Sequence, residues 1–206
     1  MSPSRPCVVV LAAGQGGRFA GDRRKLTRTL GGASVLATTL GNAIASGLPV
    51  VVVTTVALVP LALQHVAARD VVELPDVTEP GHGIGRAIAA GVAARADAPG
   101  WLVLPGDMPL VQPDTLAAVA AALDEHPVTY AQHQGRRGHP VGFAAELYSE
   151  LVVLRGDDGA RRLVARYPSF GVDVEDPGTL LDVDAAADPA LRCMAGAAAL
   201  FERSSG

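Results

Sequence analysis

The first chemistry-bearing stretch is Leu11-Ala-Ala-Gly-Gln-Gly-Gly-Arg-Phe-Ala-Gly-Asp-Arg-Arg-Lys25. An apolar run ends at Leu11, and Gly14, Gly16 and Gly17 follow closely. Glycines let backbone N–H groups converge on an anion with no Cβ in the way. Arg18 and Lys25 then offer cationic groups to phosphates. The glycine spacing fits neither the dinucleotide fingerprint nor the Walker loop. A plain strand-to-helix loop would also carry these glycines, but the cations that follow favour a phosphate site.

Three further segments join it. In Leu102-Val-Leu-Pro-Gly-Asp-Met-Pro-Leu110, Asp107 stands just past a buried strand. Ligands in open α/β sheets bind outside the carboxyl ends of strands, so this carboxylate is placed to hold Mg²⁺ against phosphates. Gly106 and Pro109 suit a simple turn equally well. In Asp182-Val-Asp184, an extended chain would put both carboxylates on one side, which suits a second metal ligand; an acidic strand end capping a following helix is the commoner explanation. In Gly135-Arg-Arg-Gly-His-Pro-Val-Gly-Phe143, two cations, a histidine and a proline share what reads as a loop, to which an anionic acceptor can dock. A solvated hairpin with a surface histidine is the alternative. The other histidines, His65, His82, His126 and His133, show no metal-ligand spacing.

Runs rich in Val and Leu predict buried parallel strands at Cys7–Leu11, Val50–Thr54, Asp70–Leu74 and Trp101–Leu104. Helical patterns alternate with them. Ser34 caps one, with Leu36, Leu40, Ala43 and Ile44 on one side. Others run near Val56–Ala68, over Ile84–Ala96, and from Pro113 to about Asp124. The rhythm implies an α/β fold with a mainly parallel sheet and helices on both faces. After Val128–Gln132, the loop Gly135–Pro140 leads to a short strand, Val141–Phe143. Two helical patterns split by Gly156 follow, then a strand at Phe170–Val174. Residues 1–206 read as one domain, with a core over 6–188 and an Ala-rich helical tail over 189–206.

Of the 206 residues, 49% are hydrophobic and 18% charged, which excludes wholesale disorder. With 4% aromatic residues, a net charge of −4 and no dense Lys/Arg run, the chain offers no stacking platform and no basic stripe for nucleic acid. Cys7 and Cys193 match neither a disulfide framework nor a zinc pattern and read as apolar fillers. The N-terminal residues do not read as a signal peptide, and apolar stretches such as Pro49–Leu63 are too short to span a bilayer. A cytoplasmic protein is expected.

In order and combination, these segments resemble the molybdenum-cofactor nucleotidyltransferase family, which has a GT-A-like, Rossmann-type fold, and most closely its cytidylyltransferase branch. The resemblance covers most of residues 6–188. It implies that Leu11, Ala12, Ala13, Gly14, Gly16, Gly17, Arg18, Lys25 and Gly83 bind the nucleotide. It implies Arg18, Lys25 and Asp107 as catalytic residues, and Asp107, Asp182 and Asp184 as Mg²⁺ ligands. Gly138-His-Pro-Val-Gly-Phe143 and Gly156-Asp-Asp-Gly-Ala-Arg161 resemble acceptor motifs, assigning Arg137, His139, Pro140, Phe143 and Arg161 to the second substrate. Two extra residues between Arg18 and Lys25 leave Arg23 or Arg24 as substitutes for the lysine. Gly85, Arg86 and Ala87 stand where the family often has serines, and the segment from Asp182 lacks the usual Thr-Pro-Glu.

The implied reaction joins CTP to a molybdopterin-type cofactor and releases pyrophosphate. The Ala12-Ala13 pair matches the cytidylyl branch, whereas the guanylyl branch usually has glycine there. Guanylyl transfer to the same cofactor is one alternative. A non-catalytic protein that inserts cofactor into a molybdenum hydroxylase is another; for the enzyme, such a hydroxylase would receive the product.

Overall fold

The computed structural model describes residues 5–13, 23–75, 83–156 and 159–183. Strand β1 (Cys7–Ala12) is followed by helix α1 (Arg23–Thr27), the two-residue strands β2 (Thr29–Leu30) and β3 (Ala33–Ser34), and helix α2 (Val35–Ala45). Then come β4 (Val50–Thr55), α3 (Val59–Ala62), β5 (Val71–Leu74), α4 (Ile84–Ala93), β6 (Gly100–Pro105) and α5 (Pro113–Ala121). The second half holds β7 (Val128–His133), β8 (Arg136–Ala144), α6 (Tyr148–Leu151), α7 (Gly159–Arg166) and β9 (Ser169–Asp173).

Seven strands form one sheet in the order β5-β4-β1-β6-β8-β7-β9. Neighbours pair in parallel except at β8, which runs antiparallel to both β6 and β7. Side chains alternate faces along each strand, and here both faces are buried. Val8, Val10, Val52, Leu102 and Leu104 point into a core built with α2 and α5. Val9, Leu11, Val51, Val53, Trp101 and Val103 point into a second core under α4, α6 and α7. That double coverage is why these strands read as continuous apolar runs. Gly91 lets α4 lie directly on the sheet: a Cβ there would sit 2.3 Å from a methyl of Val9.

Local signals account for several elements. Ser34 caps α2, its hydroxyl accepting from the Ala37 N–H at 3.2 Å. Ile44, expected on the buried side of α2, is 42% exposed, because the core lies under Leu36, Leu40 and Ala43. The helix expected over Val56–Ala68 shrinks to a 3₁₀ turn at Val56–Leu58 and the four residues of α3, and the chain then continues as tight turns through Val66. The expected loop Gly135–Pro140 is corrected more substantially. The turn is confined to Gln134 and Gly135, both at positive φ, and β8 runs unbroken from Arg136. The short strand expected at Val141–Phe143 is thus the inner part of a nine-residue strand. Asp184 and the tail over 189–206 lie outside the described residues. Among the described residues, no helix is long and apolar enough to cross a membrane.

Candidate functional site

The carboxyl ends of β1, β4 and β6 converge on one edge of the sheet, where β8 begins. Asp107 lies there, 7% exposed, in a loop that α2 and β1 hold rigidly. The Gly106 N–H donates to the Leu11 carbonyl at 2.8 Å, and the Thr39 hydroxyl donates to the Gly106 carbonyl at 2.9 Å. The Asn42 side-chain amide donates to the carbonyls of Pro109 and Val111. Gly106 is required here, since a Cβ would come within 2.9 Å of the Leu11 carbonyl. The loop therefore ties Asp107 to the end of β1, where the glycine-rich segment starts.

Asp182 is brought to the same place from the far end of the chain. The Val183 N–H donates to the Asp107 carbonyl at 3.0 Å. Asp107 and Asp182 share a cavity of about 180 Å³ with Arg136, Arg137, His139 and Thr179. Behind it, buried Asp176 fastens the segment. One of its oxygens accepts from the Gln112 N–H at 2.9 Å and the Thr115 hydroxyl at 2.7 Å, and the other accepts from the Gly178 N–H at 2.9 Å. Gly178 packs so tightly on Leu110 that a Cβ would be 2.2 Å from its carbonyl oxygen.

A bulge in β8 forms the centre of the site. Tyr130 pairs with Val141, but Gln132 pairs with Arg137, so Gly138, His139 and Pro140 fall outside the β7 ladder. Bulges re-aim side chains, and they are where a sheet tolerates proline. Gly138 passes Thr179 with no room for a Cβ, which would be 2.4 Å from the Thr179 carbonyl oxygen. Arg137, Gly138 and His139 line the smaller cavity on one side and a cavity of about 490 Å³ on the other. The larger cavity is walled by Ile84, Ile88, Val103, Val141, Phe143 and Val164, and among the described residues Arg137 and Arg161 are the charged ones along it. Arg161 comes from α7, whose end is anchored to α6: the Arg166 guanidinium donates to Glu150 at 2.7 Å, and the Tyr167 hydroxyl donates to the same carboxylate.

His139 is not the surface histidine of a hairpin. Its ring is partly exposed to the cavities, yet its Nδ1 is fully covered and has no hydrogen-bond partner among the described residues. Burial lowers its pKa from the usual 6.5 to about 4, and a backbone contact with Val103 opposes this only in part. The imidazole is therefore neutral at physiological pH. Because the folded pKa lies below the unfolded one, the unfolded chain binds the extra proton first as pH falls. Between pH 6.5 and 4, His139 should thus cost the fold on the order of 3 kcal/mol, stability rising with pH across that window. Urea denaturation at several pH values should show this slope flattening in His139→Gln. An unchanged slope would contradict the assignment.

Sequence reading missed Asp176 and Thr54. Thr54, next to last in β4, pairs with Ala12 and is fully buried, yet among the described residues its hydroxyl has no partner. The departure at Gly85 has a steric reason. Its N–H donates to the Gly156 carbonyl at 2.9 Å, and a Cβ would lie 2.8 Å from that oxygen. Restoring the family-like residue in Gly85→Ser should therefore destabilise the chain by about 1–3 kcal/mol. A thermal melt showing no loss would refute the close approach. Gly83 stands directly before α4 as its N-cap. Lys25 is half-buried in α1, whereas Arg23 and Arg24 are exposed. Leu11, Ala12 and Ala13 are buried at the end of β1, Phe143 is buried behind the larger cavity, and Pro140 is buried in β8. Gly14, Gly16, Gly17, Arg18 and Asp184 lie outside the described residues. Cys7 is a buried thiol whose pKa burial pushes up to about 11, in keeping with an inert filler.

Comparisons with known proteins agree with this architecture. The chain is similar to the crystal structure of Rv0371c from Mycobacterium tuberculosis H37Rv, with 27% identity, 89% of this chain and 94% of that one covered, and a TM-score of 0.70. It is also similar to Rv0371c in complex with manganese, with 26% identity, 83% and 88% covered, and a TM-score of 0.65. A nucleotidyl transferase from Methanothermobacter shares the fold at 23% identity, with 92% and 95% covered and a TM-score of 0.66. No curated protein shows significant sequence similarity to the chain. The model of the MobA-like NTP transferase domain matches residues 8–170, and the chain belongs to that family of nucleotidyltransferases.

Proposed function

We propose that the chain transfers CMP from CTP to a molybdopterin-type phosphorylated acceptor and releases pyrophosphate. The observation that carries this reading is the junction of two unlike cavities at the β8 bulge. One presents two carboxylates beside the end of β1. The other presents apolar walls, two guanidiniums and a neutral imidazole, which suits a flat heterocycle bearing phosphate.

In the proposed reaction an acceptor phosphate oxygen attacks the α-phosphorus of CTP. The new P–O bond forms as the bond to pyrophosphate breaks, so the protein supplies position and charge more than covalent chemistry. No general base is needed, because a phosphate acceptor is already ionised near neutral pH. Leu11, Ala12, Ala13, Gly14, Gly16, Gly17 and Gly83 would cradle the nucleotide, with Arg18 and Lys25 neutralising the departing pyrophosphate. Arg137, His139, Pro140, Phe143 and Arg161 would hold the acceptor.

The donor set fits Mg²⁺, which takes one or two carboxylates and completes its shell with water and substrate phosphates. Asp107 and Asp182, joined by Asp184, would hold it, and when bound it neutralises charge on the phosphates. The manganese complex of Rv0371c supports a divalent cation. Ala12 and Ala13 favour CTP by analogy, their methyls limiting the approach of a larger purine. We place the activity in the cytoplasm, with a molybdenum hydroxylase receiving the product.

Separate calorimetric titrations test the division of the site. His139→Ala should weaken acceptor binding about tenfold and leave CTP affinity nearly unchanged. Loss of CTP affinity with acceptor affinity kept would reverse the two halves. Stronger competition by GTP than by CTP would reassign the chain to guanylyl transfer.

A further inference from the structure

Arg137 is exposed, yet three strands hold it. Its guanidinium carbon lies 3.8 Å from the centre of the Tyr130 ring, and one of its N–H groups donates to the Ser169 hydroxyl at 2.9 Å. Tyr130 comes from β7, Arg137 from β8 and Ser169 from β9. Gly171, paired with Tyr130 across the sheet, makes this possible. A Cβ at Gly171 would lie 2.7 Å from the Gln132 side-chain oxygen and 3.0 Å from the Tyr130 ring edge and hydroxyl, so the absent side chain leaves space for the ring to lie across β9 beside Gln132.

We infer that Tyr130 is a positioning residue, its ring setting the plane of the Arg137 guanidinium for the phosphate monoester of the acceptor. This rests on the acceptor assignment proposed above. A free arginine loses substantial rotamer freedom when it is ordered on a ligand. Stacking uses the guanidinium face, and Ser169 uses one N–H. The remaining in-plane N–H groups stay available to phosphate oxygens, with much of the ordering cost already met before binding. The anion meets Arg137 from the larger cavity, which Arg161 also lines. On the smaller-cavity side it would face the carboxylates of Asp107 and Asp182.

The test uses inorganic phosphate as probe, followed through the arginine Nε–Hε signals in ¹⁵N NMR spectra of the whole chain. The Arg137 signal is identified by its loss in Arg137→Lys. It should shift on phosphate addition, and Tyr130→Leu should weaken that binding about three- to fivefold. Tyr130→Phe, which keeps the ring, should stay within about twofold of wild type. If Tyr130→Leu does not fold, Gly171→Ala carries the test, since its methyl displaces the ring and should weaken binding in the same direction. Wild-type binding in the ring-removed or ring-displaced variant overturns the inference, as does an Arg137 signal that ignores phosphate. A chain showing the expected pattern but transferring no nucleotide keeps this inference and loses the proposed reaction. A chain that transfers nucleotide while Tyr130→Leu binds phosphate normally does the opposite.

Discussion

Asp107→Asn is expected to lower turnover on the order of 10²–10³ while the melting temperature stays close to wild type. The substitution keeps the side chain's shape and removes the charge proposed to hold the metal. The fold should survive because the loop is held through its backbone. Gly106 bonds to Leu11, Thr39 bonds to Gly106, and Val183 bonds to the Asp107 carbonyl, none of which uses the carboxylate. Steady-state kinetics alongside a thermal melt decides the matter. Turnover near wild type would put the metal elsewhere, and a collapsed melt would make the role structural.

Asp176→Ala is expected to produce the largest stability loss, about 3–5 kcal/mol, or about 10 °C in melting temperature. It removes the acceptor for three donors at once: the N–H groups of Gln112 and Gly178 and the hydroxyl of Thr115. Gly178 has no room to move, being packed on the Leu110 carbonyl, so its N–H cannot readily find water. The same contacts carry the chain toward Asp182, so activity should fall at temperatures where the variant is still folded. Asp176→Asn keeps one oxygen and should lose less. Calorimetry of the two variants checks the order, and an Asp176→Ala melt matching wild type would show the network to be dispensable.

The two prediction sites differ in how legible they were. Asp107 was visible because a buried run, Leu102–Leu104, points straight at it, and the ends of such strands are where α/β sheets bind ligands. Asp176 was not visible, because beyond its local bond from the Gly178 N–H its role depends on Gln112 and Thr115, more than sixty residues away in the chain. Thr54 looked like the tail of a β-branched strand, and its hydroxyl, unpartnered among the described residues, appears only once Ala12 is beside it. The parallel half of the sheet was legible since its strands are buried on both faces. Strand β8 was not, because Gly135, Gly138 and Pro140 read locally as a turn. Pairing with β6 on one side and β7 on the other overrides that local preference, and the bulge absorbs the proline. The chemistry expected of Arg137 thus rests on a paired strand position, and that of His139 on the bulge beside it, where a loop was first read.

The most direct measurement is pyrophosphate release from each common nucleoside triphosphate, with Mg²⁺, in the presence and absence of a molybdopterin-type acceptor. Release that requires both CTP and the acceptor, and that is lost in Asp107→Asn, is the predicted result. Acceptor binding with no pyrophosphate released from any nucleotide would contradict the account and leave a cofactor-binding protein of the same fold.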